Sequence, residues 1–319
     1  SKMITVSIYE RTNMLKDLVQ GDIQNTILLP ERLCEEFNKL LIKSERPSIR
    51  LDTLDQMNVF KKYFPEIEIL KVTPQRPDYH AEGNVFIHTK MVIDKAAQLI
   101  KKYDDEKDKM IIMLGALCHD IGKPLATKKH PDGLITQRGH EEAGTEPTEM
   151  FLNKLTKDKD IIDNVIFLVN NHLKPGEFYR NKAQDKSFIK LINKYGLKKL
   201  ELLSVVFEAD TTGRWHQYSN GVLDKNPSND SVIWFREQLK RISTEKGTKD
   251  GRITPLITGD DLLNMGFEQG KKIGEILTDI KAKQEDGIIE TKEKAIGYIK
   301  EKFLNNTPTN LPSFIYPYI

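Results

Sequence analysis

The sequence predicts an all-α protein, and three observations carry that expectation. Apolar residues recur three and four positions apart in one segment after another, the spacing of a single helix face. Residues 110–118 are almost wholly apolar, which reads as a buried helix. Alternation is confined to a short piece, Ile4-Thr5-Val6-Ser7-Ile8-Tyr9, and an isolated strand needs a partner. The expected organisation is an unassigned segment over 1–26, a helical neck over 27–75, a helical core over 76–244 and a C-terminal helical region with a tail over 245–319.

The neck opens at Leu29-Pro30-Glu31, where Pro30 suits the first helical position. Leu33, Phe37, Leu40 and Leu41 recur at helical spacing before Pro47 stops the helix. Two shorter helices are expected over 48–57 and 59–63. Residues 71–84 carry Pro74, Pro77 and Gly83 and read as a linker or an ordered surface loop. His80 lies in that loop, expected at the surface or behind a site's ligands. A strongly amphipathic helix follows over 85–103, with Val85, His88, Val92, Ala96, Leu99 and Ile100 on one face. A charged turn over 104–109 leads into the apolar helix, which Gly122 and Pro124 stop.

A polar, irregular segment runs to Arg138, and another helix starts at Gly139-His140-Glu141. The segment 161–169 is a buried helix ending in Asn170-Asn171-His172 and broken by Pro175-Gly176. A further helix over 198–208 ends in Ala209-Asp210. Beyond it, 221–229 and 245–252 read as loops, and 232–242, 260–264, 271–285 and 292–304 as helices. Lysines crowd these last helices, but interleaved acids make them a solvated face and leave an RNA contact open. The aromatic, proline-bearing tail over 311–319 is expected to dock on the body or on a partner.

Composition bounds the function. With 319 residues, 38% hydrophobic and 30% charged, the chain is an ordinary soluble globular protein of one large or two modest domains. A long nucleic acid usually meets a clearly basic surface. A net charge of +2 fits a small phosphorylated ligand at least as well. Cys34 and Cys118 imply no disulfide framework, so a reducing cytoplasm is the simplest setting. No signal-peptide pattern and no membrane-length apolar run is present, so no membrane is expected.

The chemistry gathers at helix ends. His88, His119-Asp120, His140, His172 and Asp210 each sit on or at the end of an expected helix, and they include four of the seven histidines. Adjacent helical residues point about 100° apart, so His119 and Asp120 share an ion only beyond the helix end. Antiparallel helices joined by the 104–109 turn can bring His88 to the same place. Alone, a His-Asp pair is compatible with an ordinary helix terminus; the other ligands change that reading. Neutral imidazole is the commonest metal ligand. Mixed imidazole and carboxylate suit Mn, Fe, Co, Ni, Zn or Mg, and no thiolate set argues for structural zinc.

Around these ligands, Lys123 suits a phosphate contact as a point charge, or a cation at a helix C-terminus. Arg214 can fork onto phosphate oxygens. Glu141 is a candidate general base or a partner behind the ligands. Trp215, His216 and Tyr218 follow Arg214; aromatics near a site can stack a base, although packing is their commoner use.

The pattern H…HD…D, here His88, His119-Asp120 and Asp210, resembles the HD-domain phosphohydrolases, and His140 and His172 fall where two-metal members carry further histidines. A closer resemblance is to the neck and C-terminal HD region of bacterial CCA-adding tRNA nucleotidyltransferases. It rests on Pro30-Glu31-Arg32 through Phe64-Pro65-Glu66, on His80-Ala81-Glu82-Gly83-Asn84-Val85 leading to His88-Thr89, and on Ile257-Thr258-Gly259-Asp260-Asp261-Leu262-Leu263 with Gln284-Glu285-Asp286-Gly287. Residues 1–26 are too few for the nucleotidyltransferase head of those enzymes, so CCA polymerisation is not carried over. The GYP signature of the cyclic di-GMP branch is absent, and Ile121-Gly122-Lys123 stands where other branches carry a second acidic pair or a further histidine.

The resemblance implies a metal-dependent phosphodiesterase or phosphatase acting on nucleotides or RNA ends, such as 2′,3′-cyclic or 2′-phosphate esters, by attack of metal-bound hydroxide. His88, His119, Asp120 and Asp210 are expected to hold one tight divalent ion, with Asp120 bridging to a weaker one at His140 and His172. Asp120, Lys123 and Glu141 are the expected catalytic residues, with Lys123 and Arg214 binding substrate. The alternative is an RNA- or tRNA-binding module that works with a separate nucleotidyltransferase and keeps a vestigial metal site.

Overall fold

The computed structural model describes residues 29–246 and 254–304, with the side chains of 29–34 and 246 left aside. The expected segment over 1–26 and the tail over 311–319 lie outside these residues. The described chain is helical apart from two small hairpins. It divides into two compact units, one formed by residues up to 182 together with 198–237, the other by 183–197 with the residues from 238 onward.

In the first unit the neck comprises α1 (Leu29–Lys43), α2 (Pro47–Gln56), α3 (Val59–Tyr63) and α4 (Pro65–Glu68). Pro47 opens α2 at a position that needs no N–H. The core follows with α5 (Val85–Leu99), α6 (Glu106–Cys118), α7 (Lys123–Ala126), α8 (His140–Ala143), α9 (Thr145–Leu155), α10 (Lys159–Asn171) and α11 (Lys174–Arg180). The second unit contributes α12 (Asp185–Tyr195), and the first resumes with α13 (Leu197–Thr212). The unit boundary falls within α14 (Asp230–Lys246).

The apolar α6 lies at the centre, with α1, α5 and α10 packed against it. Residues Ile111 to Cys118 are all buried, which is why the run shows no polar face. Asp105 caps α6, accepting from the Lys107 N–H at 2.7 Å, and Asn84 caps α5, accepting from the Ile87 N–H at 2.9 Å. The neck is tied to the core by aromatic packing. Phe64 meets Phe37 of α1 at 5.5 Å and Phe151 of α9 at 5.3 Å between ring centroids, and all three are almost fully buried.

The segment expected to be irregular before Arg138 holds a hairpin, β1 (Lys128–Lys129) paired antiparallel with β2 (Ile135–Thr136). A second hairpin pairs β3 (His216–Gln217) with β4 (Leu223–Asp224), so the stretch 221–229 expected as a loop carries a short strand. The helix expected to end before Pro175-Gly176 does end at Asn171, and Pro175 then occupies the first turn of α11. Asp210 belongs to α13 itself, within its last turn.

The second unit has its own core of Ile257, Leu262, Phe267, Ile276, Ile280 and Ile289. Its helices are α12, α15 (Gly259–Asn264), α16 (Lys271–Glu285) and α17 (Lys292–Ile299), the last extended by a π-helical turn over 300–304. Thr258 and Asp261 form a capping box at the start of α15.

Candidate metal centre

Helix ends position most of the candidate ligands, and the backbone explains how. His119 and His172 follow directly on α6 and α10, whose last carbonyls have no partner within the helix. The His119 Nδ1–H donates to the Ala116 carbonyl at 2.8 Å, and the His172 Nδ1–H donates to the Val169 carbonyl at 2.7 Å. His140, at the start of α8, does the same to the Gln137 carbonyl at 2.7 Å. The rings thereby satisfy exposed carbonyls and fix their tautomer, leaving each Nε2 as a lone pair aimed inward. The negative ends of α6 and α10 also face the site, which favours cations there.

Two glycines permit the approach. A Cβ on Gly122 would lie 2.1 Å from the His140 carbonyl oxygen and 2.4 Å from the Gly144 nitrogen, so the turn after His119-Asp120 sits against the backbone of α8. A Cβ on Gly213 would lie 2.9 Å from the Val92 Cα, so the end of α13 rests on the backbone of α5 and sets Asp210 beside His88.

The Asp120 carboxylate divides the cluster. Its Oδ2 lies 3.2 Å from His119 Nε2 and 3.7 Å from His88 Nε2. Asp210 Oδ1 completes that side, 3.1 Å from His88 Nε2. On the other side, Asp120 Oδ1 lies 3.2 Å from His140 Nε2 and 3.8 Å from His172 Nε2. The imidazole nitrogens themselves stand 3.2 Å apart in each group, His88 with His119 and His140 with His172. All six residues are buried. The structure thus brings together every ligand expected from the sequence, in two groups sharing one carboxylate.

These groups fit divalent ions. With both Nδ1 atoms committed to carbonyls, the Nε2 atoms of His140 and His172 face each other, an arrangement that needs a proton or a metal ion between them. Two imidazoles on one ion, each at ~2.0–2.1 Å, stand roughly 3.0–3.4 Å apart. The observed spacing meets that. Electrostatics agree: burial opposes ionisation of Asp120 and Asp210, yet the neighbouring positive groups hold both carboxyls well below the usual range. Burial works against protonation of His88 and His140, but their carboxylate partners raise both above the usual imidazole value, so a proton stands in where a cation is wanted. His172, buried and beside His140 and His119, is lowered to about 3.

Lys123 is buried rather than free, with Nζ 2.6 Å from Asp120 Oδ2 and donating to Gln75 Oε1 at 2.6 Å. Glu141 lies beside the ligands, its Oε2 3.4 Å from His140 Nδ1. Arg214 and Glu141 both line a cavity of about 630 Å³ that opens onto Asp120, His140 and His172. Arg76, Arg138 and Arg180 add further positive charge to its wall.

Sequence reasoning missed Glu82. Its Oε1 lies 2.9 Å from His88 Nδ1 and 3.0 Å from His80 Nδ1, while its Oε2 accepts the Trp215 N–H at 2.9 Å. One carboxylate thus orients a ligand and anchors the second hairpin. An acid six residues before His88 carries no periodic signal; only the clustering of His80 and Glu82 ahead of the helix hinted at it. His80 itself packs behind His88, its pKa lowered to about 3 by burial and by the Lys123 charge.

Residues 85–215, which include all six candidate ligands, match the HD domain family. The chain resembles multifunctional CCA proteins: that of Mannheimia succiniciproducens is 32% identical over 202 residues, 61% of this chain and 45% of the relative. That of Pasteurella multocida is 29% identical over 210 residues, 64% and 48%, and that of Xylella fastidiosa strain 9a5c is 28% identical over 220 residues, 66% and 49%. The chain therefore spans about half the length of the curated relatives it matches. No helix among the described residues is long and apolar enough to cross a membrane.

Proposed function

We propose that the protein is a divalent-metal-dependent phosphohydrolase acting on phosphate esters of nucleotides or RNA ends, 2′,3′-cyclic and 2′-phosphates among them. The observation that carries this reading is the Asp120 carboxylate, one oxygen turned to each of two imidazole groups. His88, His119, Asp120 and Asp210 would hold a tight ion, and Asp120, His140 and His172 a second. Bound ions supply polarisation of the phosphoryl oxygen and an activated water.

The chain's own residues do the rest. Arg214, at the cavity wall, forks onto the phosphate oxygens and orients them. Glu141 takes a proton from the attacking water or returns one to the leaving oxygen. Lys123 acts first on Asp120, whose carboxylate it neutralises and holds in place, and its charge also draws a phosphate inward. The resemblance to multifunctional CCA proteins supports an RNA-end phosphoester as the substrate. A binding module with a vestigial site gives no reason for six buried candidate ligands, three of them imidazoles whose tautomers carbonyls fix.

The test is turnover of 2′,3′-cyclic AMP, 2′-AMP and a general phosphodiester with Mn, Ni, Mg or chelator, beside Asp120→Ala. Metal-dependent turnover lost in the variant is the expected result. Absence of both turnover and bound metal would move the reading to the RNA- or tRNA-binding module.

A further inference from the structure

The cavity over the metal centre does not end at the metal centre. A groove of about 780 Å³ shares Arg76, Tyr79, Leu134 and Ile135 with it and runs outward between the two hairpins. Small-molecule sites span ~300–1,000 Å³, so the continuous space exceeds what one nucleotide needs. The groove is lined by flat rings. Tyr79 and Tyr218 are each 48% exposed, although large aromatic side chains usually bury their faces.

Those rings are held rather than loose. His216 lies between them, its centroid 5.6 Å from Tyr79 and 4.6 Å from Tyr218. The Arg76 guanidinium sits over the Tyr79 ring at 4.8 Å. The platform is braced by backbone: the Gln217 N–H donates to the Asp78 carbonyl and the Ala81 N–H to the Trp215 carbonyl, both at 3.0 Å. Glu82 ties the same hairpin to the ligand His88. Stacking rings are therefore rigidly placed relative to the metal ligands.

We infer that this groove binds the nucleotides next to the reactive phosphoester, so that the preferred substrate is the end of a single-stranded nucleic acid rather than a free mononucleotide. The inference rests on the phosphohydrolase reading for the position of the reactive end. Base faces stack on aromatic rings whatever the sequence, as single-strand platforms require, and the exposed Tyr218 offers such a face.

The experiment is fluorescence anisotropy of the metal-loaded protein with a labelled oligonucleotide of about six nucleotides carrying hydrolysis-resistant phosphorothioate linkages, competed by unlabelled oligonucleotide or by AMP. The oligonucleotide is expected to bind at least about tenfold tighter than AMP. Tyr218→Ala is expected to weaken it about tenfold and Tyr218→Phe to restore it, at low and raised salt alike, because stacking, unlike phosphate pairing, is not counterion-dependent. Metal content and thermal unfolding show that each variant is folded. Equal affinity for AMP and oligonucleotide, or wild-type binding by Tyr218→Ala, would overturn the inference. Turnover of mononucleotides alongside such a result would leave the phosphohydrolase reading standing; tyrosine-dependent binding without turnover would do the reverse.

Discussion

At the scale of single residues, the site is an arrangement of acceptors that turn three imidazoles the same way. His119, His140 and His172 each give Nδ1–H to a carbonyl three residues earlier and present Nε2 to the interior. For His88 the Glu82 carboxylate, 2.9 Å from Nδ1, plays that part through its charge. Partners of this kind typically change metal affinity by about 10–100-fold, so Glu82→Gln is expected to weaken metal binding by that factor while the protein still unfolds cooperatively; isothermal titration with Mn checks it. Proton competition sets the pH dependence. His88 and His140 hold protons above the usual imidazole range when no ion is bound, and a metal must displace them. Affinity is therefore expected to rise with pH through and above that range, with proton release on binding in a lightly buffered titration. His172, lowered to about 3, is already neutral there and adds no pH dependence.

At the scale of elements, glycine and packing decide whether the helix ends meet. Gly122→Ala forces a methyl into the backbone of α8. Overpacking costs about 1–3 kcal/mol, and here it also parts Asp120 from His140, so reduced melting temperature and loss of the second metal are expected together. Phe64→Ala, which opens the joint of neck and core, is expected to cost about 3–5 kcal/mol in denaturant unfolding. Elements were legible where apolar spacing was strong: the helix expected over 271–285 is α16 with the same bounds. They were missed where a local signal has two uses. Pro175 reads as a breaker in sequence but starts α11, and two-residue strands such as Lys128–Lys129 are too short for alternation to show.

At the scale of the whole molecule, the ligands span from α5 to α13, some 122 positions between His88 and Asp210. An ion that bridges elements so far apart binds the folded chain and not the unfolded one, so it stabilises by mass action, about 2.7 kcal/mol at one hundred times its dissociation constant. Chelation is expected to lower the melting temperature, and Mn to restore it. The cluster was legible because His88, His119, His172 and Asp210 sit on or at the end of helices whose apolar residues predict their burial. Glu82 and Gln75 were not, because loop residues carry no period and reach the site only through tertiary folding. The measurement that tests the central claim most directly is metal content per chain for the wild type, His172→Ala and Asp120→Ala after loading with Mn and desalting. One shared carboxylate predicts that His172→Ala keeps the tight ion and loses the second, while Asp120→Ala loses both. Wild-type metal content in Asp120→Ala would contradict it.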